Sequence, residues 1–165
     1  MVPAMAKKKD AAKQTPGPRT IVNRRARYDY EFLSTFEAGV ALAGSEVKSV
    51  FLGRVNMTDA YCQVRQGEIW LSNLDIEPYS HASHFQPDRR RERKLLMHRK
   101  EIDLLERKSL EKGLALIPSA IYFKNGKVKV EVALARGKRK YDKREQIAKD
   151  EQRRESERVR SMKLR

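Results

Sequence analysis

One dipeptide constrains this chain more than any other. Asn125-Gly126 separates Ile121-Tyr122-Phe123 from a run in which Val128, Val130, Val132 and Leu134 alternate with Lys127, Lys129, Glu131 and Ala133. Asn-Gly supplies the two positive-φ positions of a tight type I′ turn, and strict alternation buries one face of the strand that follows. The segment from Leu114 to Gly137 is therefore an antiparallel hairpin. A lone hairpin is not stable in water, so more strands must join it. Gln66-Gly67 predicts a second hairpin, between residues 60–65 and 68–73. Residues 28–42 (YDYEFLSTFEAGVAL) predict a strand bent at Gly39, where a helix would lose about 1 kcal/mol. Residues 74–79 predict one more strand, ending near Pro78.

Two helices interrupt the β pattern. Ser45 is placed to cap a short helix in which Val47, Val50 and Phe51 form a stripe and Gly53 is the stop. Lys94–Gly113 predicts the other, with Leu95, Ile102 and Leu105 on one face. Residues 81–93 are polar and basic and predict a loop. Some six short strands with two to three short helices give a mainly β fold, a small antiparallel barrel of the OB type. No internal repeat is visible.

The charge is unevenly placed. The 165 residues carry 37 Lys and Arg against 22 Asp and Glu, a net +15. Residues 1–20 hold five bases and one acid, residues 138–165 twelve bases and six acids, and residues 21–137 twenty bases and fifteen acids. The expected organisation is thus a flexible basic arm (1–20), a nearly balanced barrel (21–137) and a basic tail (138–165). Neither arm carries enough apolar surface to offset the entropy of ordering alone. Met5-Ala-Lys-Lys-Lys also reads as an ordinary start, so no function is placed on residues 1–4. A polyanion is the expected partner. No apolar run long enough to span a bilayer is present, and none resembling a secretory signal. With the single Cys62, the expectation is a reducing cytoplasm and no membrane.

The tools of catalysis are missing. There is no G-x-S-x-G elbow, Walker A loop or G-x-G-x-x-G fingerprint. His81 and His84 lack the partners that would complete a metal site. Cys62 falls inside a strand, as a buried thiol would. Asp59, Glu68, Asp75 and Glu77 are scattered rather than clustered for metal-assisted cleavage. The expectation is a protein that is not an enzyme and takes no cofactor.

Three basic clusters carry the binding signal instead: Asn23-Arg24-Arg25-Ala26-Arg27, Arg89–Lys94, and Gly137-Lys138-Arg139-Lys140-Tyr141-Asp142-Lys143-Arg144. Guanidinium groups grip phosphates bidentately, and an interleaved tyrosine offers a stacking face for a base.

In order and spacing, IVNRRARYDYEF, EAGVALAGSEVKS, RKLLMHRKEIDLL, YFKNGKVKVEVALARGKRKYDKRE and the basic run to Arg165 resemble the bacterial small protein B family, the SsrA-binding proteins that partner transfer-messenger RNA. The resemblance covers residues 20–165. It implies an OB-like barrel that binds the tRNA-like domain of that RNA through positions matching Asn23, Glu37, Leu96 and Gly137, with Arg24, Arg25, Tyr28, Lys94, Lys138 and Arg139 beside them. It implies a tail disordered when free and helical on a stalled 70S ribosome, where it lies along the empty messenger channel and decoding centre. Tyr141, Asp142, Lys143, Arg144, Ile147, Lys149, Arg153, Arg154, Val159 and Met162 are its contact candidates. Some relatives carry His in place of Tyr28 and Tyr141, so stacking rather than titration is the shared property. The aminoacyl end of the RNA would stay accessible to alanyl-tRNA synthetase and elongation factor Tu.

Elementary chemistry agrees. Glu37 can accept from guanine N1 and N2, or orient Arg24 or Arg25 toward phosphates; the plainer reading is a surface ion pair worth ~0–1 kcal/mol. Leu96 can pack on an unstacked base if Leu95 takes the core position. The pairs Glu145–Lys149, Asp150–Arg154 and Glu155–Arg158 would each add ~0.2–0.5 kcal/mol to a tail helix that is marginal in isolation. The alternative to a specific adaptor is a general RNA chaperone or ribosome-associated protein acting by charge alone.

Overall fold

In the computed structural model, which describes residues 18–82 and 86–163, nine strands and four helices follow one another. They are β1 (Ile21–Val22), α1 (Arg24–Asp29), β2 (Tyr30–Val40), α2 (Gly44–Phe51), β3 (Val55–Asn56), β4 (Tyr61–Arg65), β5 (Glu68–Ser72), β6 (Asp75–Ile76), β7 (Arg93–Leu96), α3 (Arg99–Ser109), β8 (Leu114–Lys124), β9 (Lys127–Gly137) and α4 (Lys140–Lys163). The main sheet runs β1-β8-β4-β5-β7-β2-β9 and is antiparallel throughout. A further β8–β9 pairing bends six of its strands into a ring. The β4–β8 seam rests on the single register pair Cys62↔Leu116, so the ring is only partly closed. The mainly β, OB-like barrel expected above is the observed architecture.

Both tight turns form as their residues require. Gln66 and Gly67 have φ of 53° and 72°, Asn125 and Gly126 of 51° and 71°. Each pair supplies the positive φ values of a type I′ hairpin. They set the registers Arg65↔Glu68 and Lys124↔Lys127. The alternation along β9 then points Val130, Val132 and Leu134 inward, where they pack with Ile69, Leu71, Leu95, Leu105 and Ile121. Cys62 is buried in this core, and burial pushes its thiol pKa far above the usual range. That is the inert thiol its strand position implied.

Several local expectations are corrected. Residues 24–29 fold as α1, ahead of the strand that was expected to begin at residue 28. Three arginines without a hydrophobic stripe hid a helix whose cap, Asn23, looked like part of a basic cluster. Ser45 is not the cap of α2. Ala43 occupies that position, and its N–H donates to Glu46 Oε2 at 2.8 Å. The expected helix 94–113 divides into β7 and the shorter α3. Leu95, Ile102 and Leu105 are all buried, but Leu95 is buried from a strand. A three-residue stripe cannot distinguish the two. The strand expected over 74–79 shrinks to β6, paired with the unforeseen β3. Along the tail, none of the three expected ion pairs closes; Arg153–Glu157 at 3.8 Å is the pair that approaches. Water competes for every one of these exposed charges. The basic arm up to residue 17 and His84 lie outside the described residues.

Candidate nucleic-acid interface

The structure gathers the expected site residues into two patches. The first is α1 with the root of α4. Asn23 Oδ1 accepts the Ala26 N–H at 3.0 Å, which starts α1, while Asn23 Nδ2 donates to the carbonyls of Met57 and Pro118, both at 3.0 Å. Asn23 is 4% exposed. Its carboxamide staples α1 to the segment after β3, at Met57, and to β8, at Pro118. The side chains it sets in place, Arg24, Arg25, Arg27 and Tyr28, are all exposed.

The chain returns to this patch at Gly137, paired with Tyr30. A Cβ on Gly137 would meet nothing within 4 Å, so internal packing does not demand the glycine. Lys138 follows, its N–H donating to the Asp29 carbonyl at 2.9 Å and its Nζ to the Arg27 carbonyl at 3.0 Å. The Arg139 N–H donates to Asp142 Oδ2 at 3.2 Å across the first turn of α4, leaving the guanidinium exposed. Lys143 does not point away from the body. Its Nζ lies 2.8 Å from Asp29 Oδ1 and 5.7 Å from the centre of the Tyr28 ring.

The second patch lies seven residues along β2, about 23 Å from the first at ~3.3 Å per residue. A cleft of about 600 Å³ there is lined by Glu37, Lys94, Leu96, His98, Arg99 and Lys129, among others. Leu96 is 56% exposed, whereas Leu95 is 1% exposed. The period-2 alternation of β7 sends one leucine into the core and presents the other. Gly39 faces Leu96 across the β2–β7 pairing, and a Cβ there would sit 3.3 Å from Leu96 Cβ. Lys94 pairs with Glu68.

Glu37 does not reach Arg24 or Arg25. It accepts from the Tyr122 hydroxyl at 2.6 Å and from Lys124 Nζ at 2.9 Å, with Lys129 Nζ 3.9 Å away. The Tyr122 hydroxyl, then Lys124, hold its carboxyl below the usual carboxylate range, and Glu37 in turn raises the Tyr122 pKa to about 12. Tyr122, Lys124 and Lys129 were missed by sequence reasoning. The hairpin alternation would have found them, because Tyr122↔Lys129 is a register pair and Glu37 lies opposite Glu131 on the neighbouring strand.

The middle basic cluster is tied down by carboxylates, although Arg93 alone of it is buried. Arg93 is wholly buried; its Nη2 donates to Glu46 Oε1 at 2.7 Å and its Nη1 to the Leu74 carbonyl at 2.7 Å. Arg91 Nη2 meets the other Glu46 oxygen at 2.5 Å, and Arg89 pairs with Asp75 at 2.8 Å. These cations are anchors for the segment between β6 and β7, and Lys94 alone of that cluster lines the cleft. Burial would raise the Glu46 pKa, but Arg91, the Ala43 N–H and Arg93 together hold it below normal.

The tail is open to solvent. Tyr141, Ile147, Val159 and Met162 are exposed, as are Arg144, Lys149, Arg153 and Arg154. Among the described residues, no group of three His, Cys, Asp or Glu side chains stands close enough to share a metal ion. No described helix is long and apolar enough to cross a membrane.

This arrangement has counterparts. A family model described as SmpB protein matches residues 20–162. The SsrA-binding protein of Thermobifida fusca is 50% identical over 156 residues, spanning 94% of this chain and 97% of that relative. The SsrA-binding protein of Syntrophobacter fumaroxidans is 53% identical over 138 residues, spanning 84% and 86%. Among solved structures, a chain from "tmRNA-SmpB: a journey to the center of the bacterial ribosome" superposes with a TM-score of 0.64 at 47% identity, covering 78% of this chain and 94% of that one.

Proposed function

Since the chain belongs to the SmpB protein family, we propose that it is a transfer-messenger RNA-binding adaptor of trans-translation, non-catalytic and cytoplasmic, that rescues stalled ribosomes. The observation that carries this reading is the extent of the likeness: the family model takes in residues 20–162, barrel and tail together, and the relatives are named as SsrA-binding proteins. The two patches divide the work. Arg24, Arg25, Tyr28 and Arg139 offer guanidinium forks and a ring to backbone and base. The cleft offers Leu96 as an apolar seat, with Lys129 and Lys94 at its edge and Glu37 as an acceptor held ionised by its neighbours. The barrel takes the tRNA-like domain and leaves its aminoacyl end to alanyl-tRNA synthetase and elongation factor Tu. The tail enters the decoding centre and messenger channel, where its unpaired cations displace counterions from ribosomal RNA.

Competition binding at matched salt tests the specific reading. Transfer-messenger RNA should be preferred over an unrelated structured RNA by on the order of a thousandfold. Equal affinities would leave only a general basic RNA binder. Removing residues 142–165 should spare RNA affinity and abolish peptide tagging; tagging by the truncated chain would refute the tail's role.

A further inference from the structure

We infer that Asp29 is a positioning residue that clamps the root of α4 to α1 and so aims the tail. The functional consequence rests on the adaptor reading; the clamp itself does not. Asp29 closes α1, and its side chain has two partners. Oδ2 accepts from Arg25 Nε at 2.7 Å and Oδ1 from Lys143 Nζ at 2.8 Å, 114 residues away in sequence. The Asp29 carbonyl takes the Lys138 N–H, and Lys138 Nζ bridges the Arg27 carbonyl to Gln146.

A carboxylate is out of place at this end of a helix, where the partial charge is already negative. Its surroundings explain it. α1 carries Arg24, Arg25 and Arg27, and the root bonded to it carries Lys138, Arg139, Lys140, Lys143 and Arg144. Without an anion between them, two strongly basic segments would repel. Asp29 turns that repulsion into a hinge with a preferred angle.

Past Gln146, no described residue of α4 makes a hydrogen bond or ion pair with the barrel. The remaining 147–163 stretch is a rod of about 26 Å at ~1.5 Å per residue, so a swing of roughly 20° at the root moves its far end by about 9 Å. A contact at the root therefore decides where the tail points.

Spin labels on Lys112→Cys and Ser156→Cys, both exposed, report that angle in the full chain; native Cys62 is buried. The distance distribution should be narrow, broaden about twofold with Asp29→Asn, and narrow again in the charge-swapped Asp29→Lys/Lys143→Asp. Tagging on stalled ribosomes should fall about fivefold with Asp29→Asn, while affinity for transfer-messenger RNA stays within about threefold. An unchanged distribution in Asp29→Asn overturns the clamp. A broadened distribution with normal tagging overturns the aiming role. Should transfer-messenger RNA show no preference over other RNA, the adaptor reading fails while the distance result still stands.

Discussion

Replacing Asn23 with Ala separates a structural role from a direct RNA contact. Three hydrogen bonds go with the carboxamide: the cap of α1 and the two donations to the Met57 and Pro118 carbonyls. A lost cap costs ~1 kcal/mol, and each buried bond to a carbonyl ~1 kcal/mol net, more if the carbonyl finds no water. The sum is about 3 kcal/mol. For a body of 117 residues, unfolding near the midpoint carries an entropy of about 0.25 kcal/mol/K, so the melting temperature should fall by about 12 °C. Asn23→Asp should lose at least as much: it keeps the cap acceptor but turns an oxygen toward both carbonyls. Scanning calorimetry alongside RNA titration well below the transition is the assay. RNA affinity should fall only so far as α1 frays, more at 35 °C than at 10 °C. A variant that melts at the wild-type temperature yet loses RNA binding at both temperatures would refute the staple and put the carboxamide on the RNA.

The other expectations follow from the same geometry. Arg93→Met should destabilise by ~3–5 kcal/mol by stranding part of the Glu46 charge, and Glu46→Leu in the same chain should recover much of it; additive losses in the double-mutant cycle would count against a coupled pair. Leu96→Ala should leave the denaturation midpoint within ~0.5 kcal/mol of wild type while weakening RNA binding, and Leu95→Ala should cost ~2–5 kcal/mol with RNA affinity intact below its transition. Glu46 and Asp29 both have folded pKa values held below their unfolded ones, so their stabilisation is complete above pH ~4.5 and is lost as the pH falls through the lower folded values. Glu46→Gln should flatten that acid limb in urea titrations; an unchanged slope would place the linkage elsewhere.

The hairpins were legible because their signals are local. Asn125-Gly126 and Gln66-Gly67 state a turn type in two residues, and the alternation after Asn125 states which face is buried. Leu96 was found for a reason that proved incomplete: the stripe through Leu95, Ile102 and Leu105 was assigned to one helix, although a strand ending and a helix beginning give the same three buried positions. What could not be read was pairing across distance. Arg89, Arg91 and Arg93 look identical to phosphate-binding arginines until Asp75 and Glu46, 14 to 47 residues away, are seen to claim them. Asn23 looked like part of a basic cluster, and a sequence does not distinguish a helix cap from a ligand contact, because both use the same carboxamide. Its second and third bonds reach residues 34 and 95 positions on, which no local pattern announces.

That same pairing decides how the net charge is used. In the barrel, Glu46, Asp75, Glu68, Glu92 and Glu37 each hold one or more cations, so much of the basic surface there is committed to holding loops and strands in place. In α4 beyond Lys143, Arg153–Glu157 is the one ion pair among the described residues. An equal number of cations therefore counts differently in the two regions. The barrel presents a few cations at fixed positions, around an acceptor and an exposed leucine, which suits recognition of one shape. The tail presents many uncommitted cations on a helix with no apolar face to hold it, which suits a channel walled by phosphate and penalises binding anywhere less anionic. A partner that engages both must satisfy the barrel's geometry first, because only the barrel has one; Asp29, at the junction, is where the geometry of the first region is handed to the second.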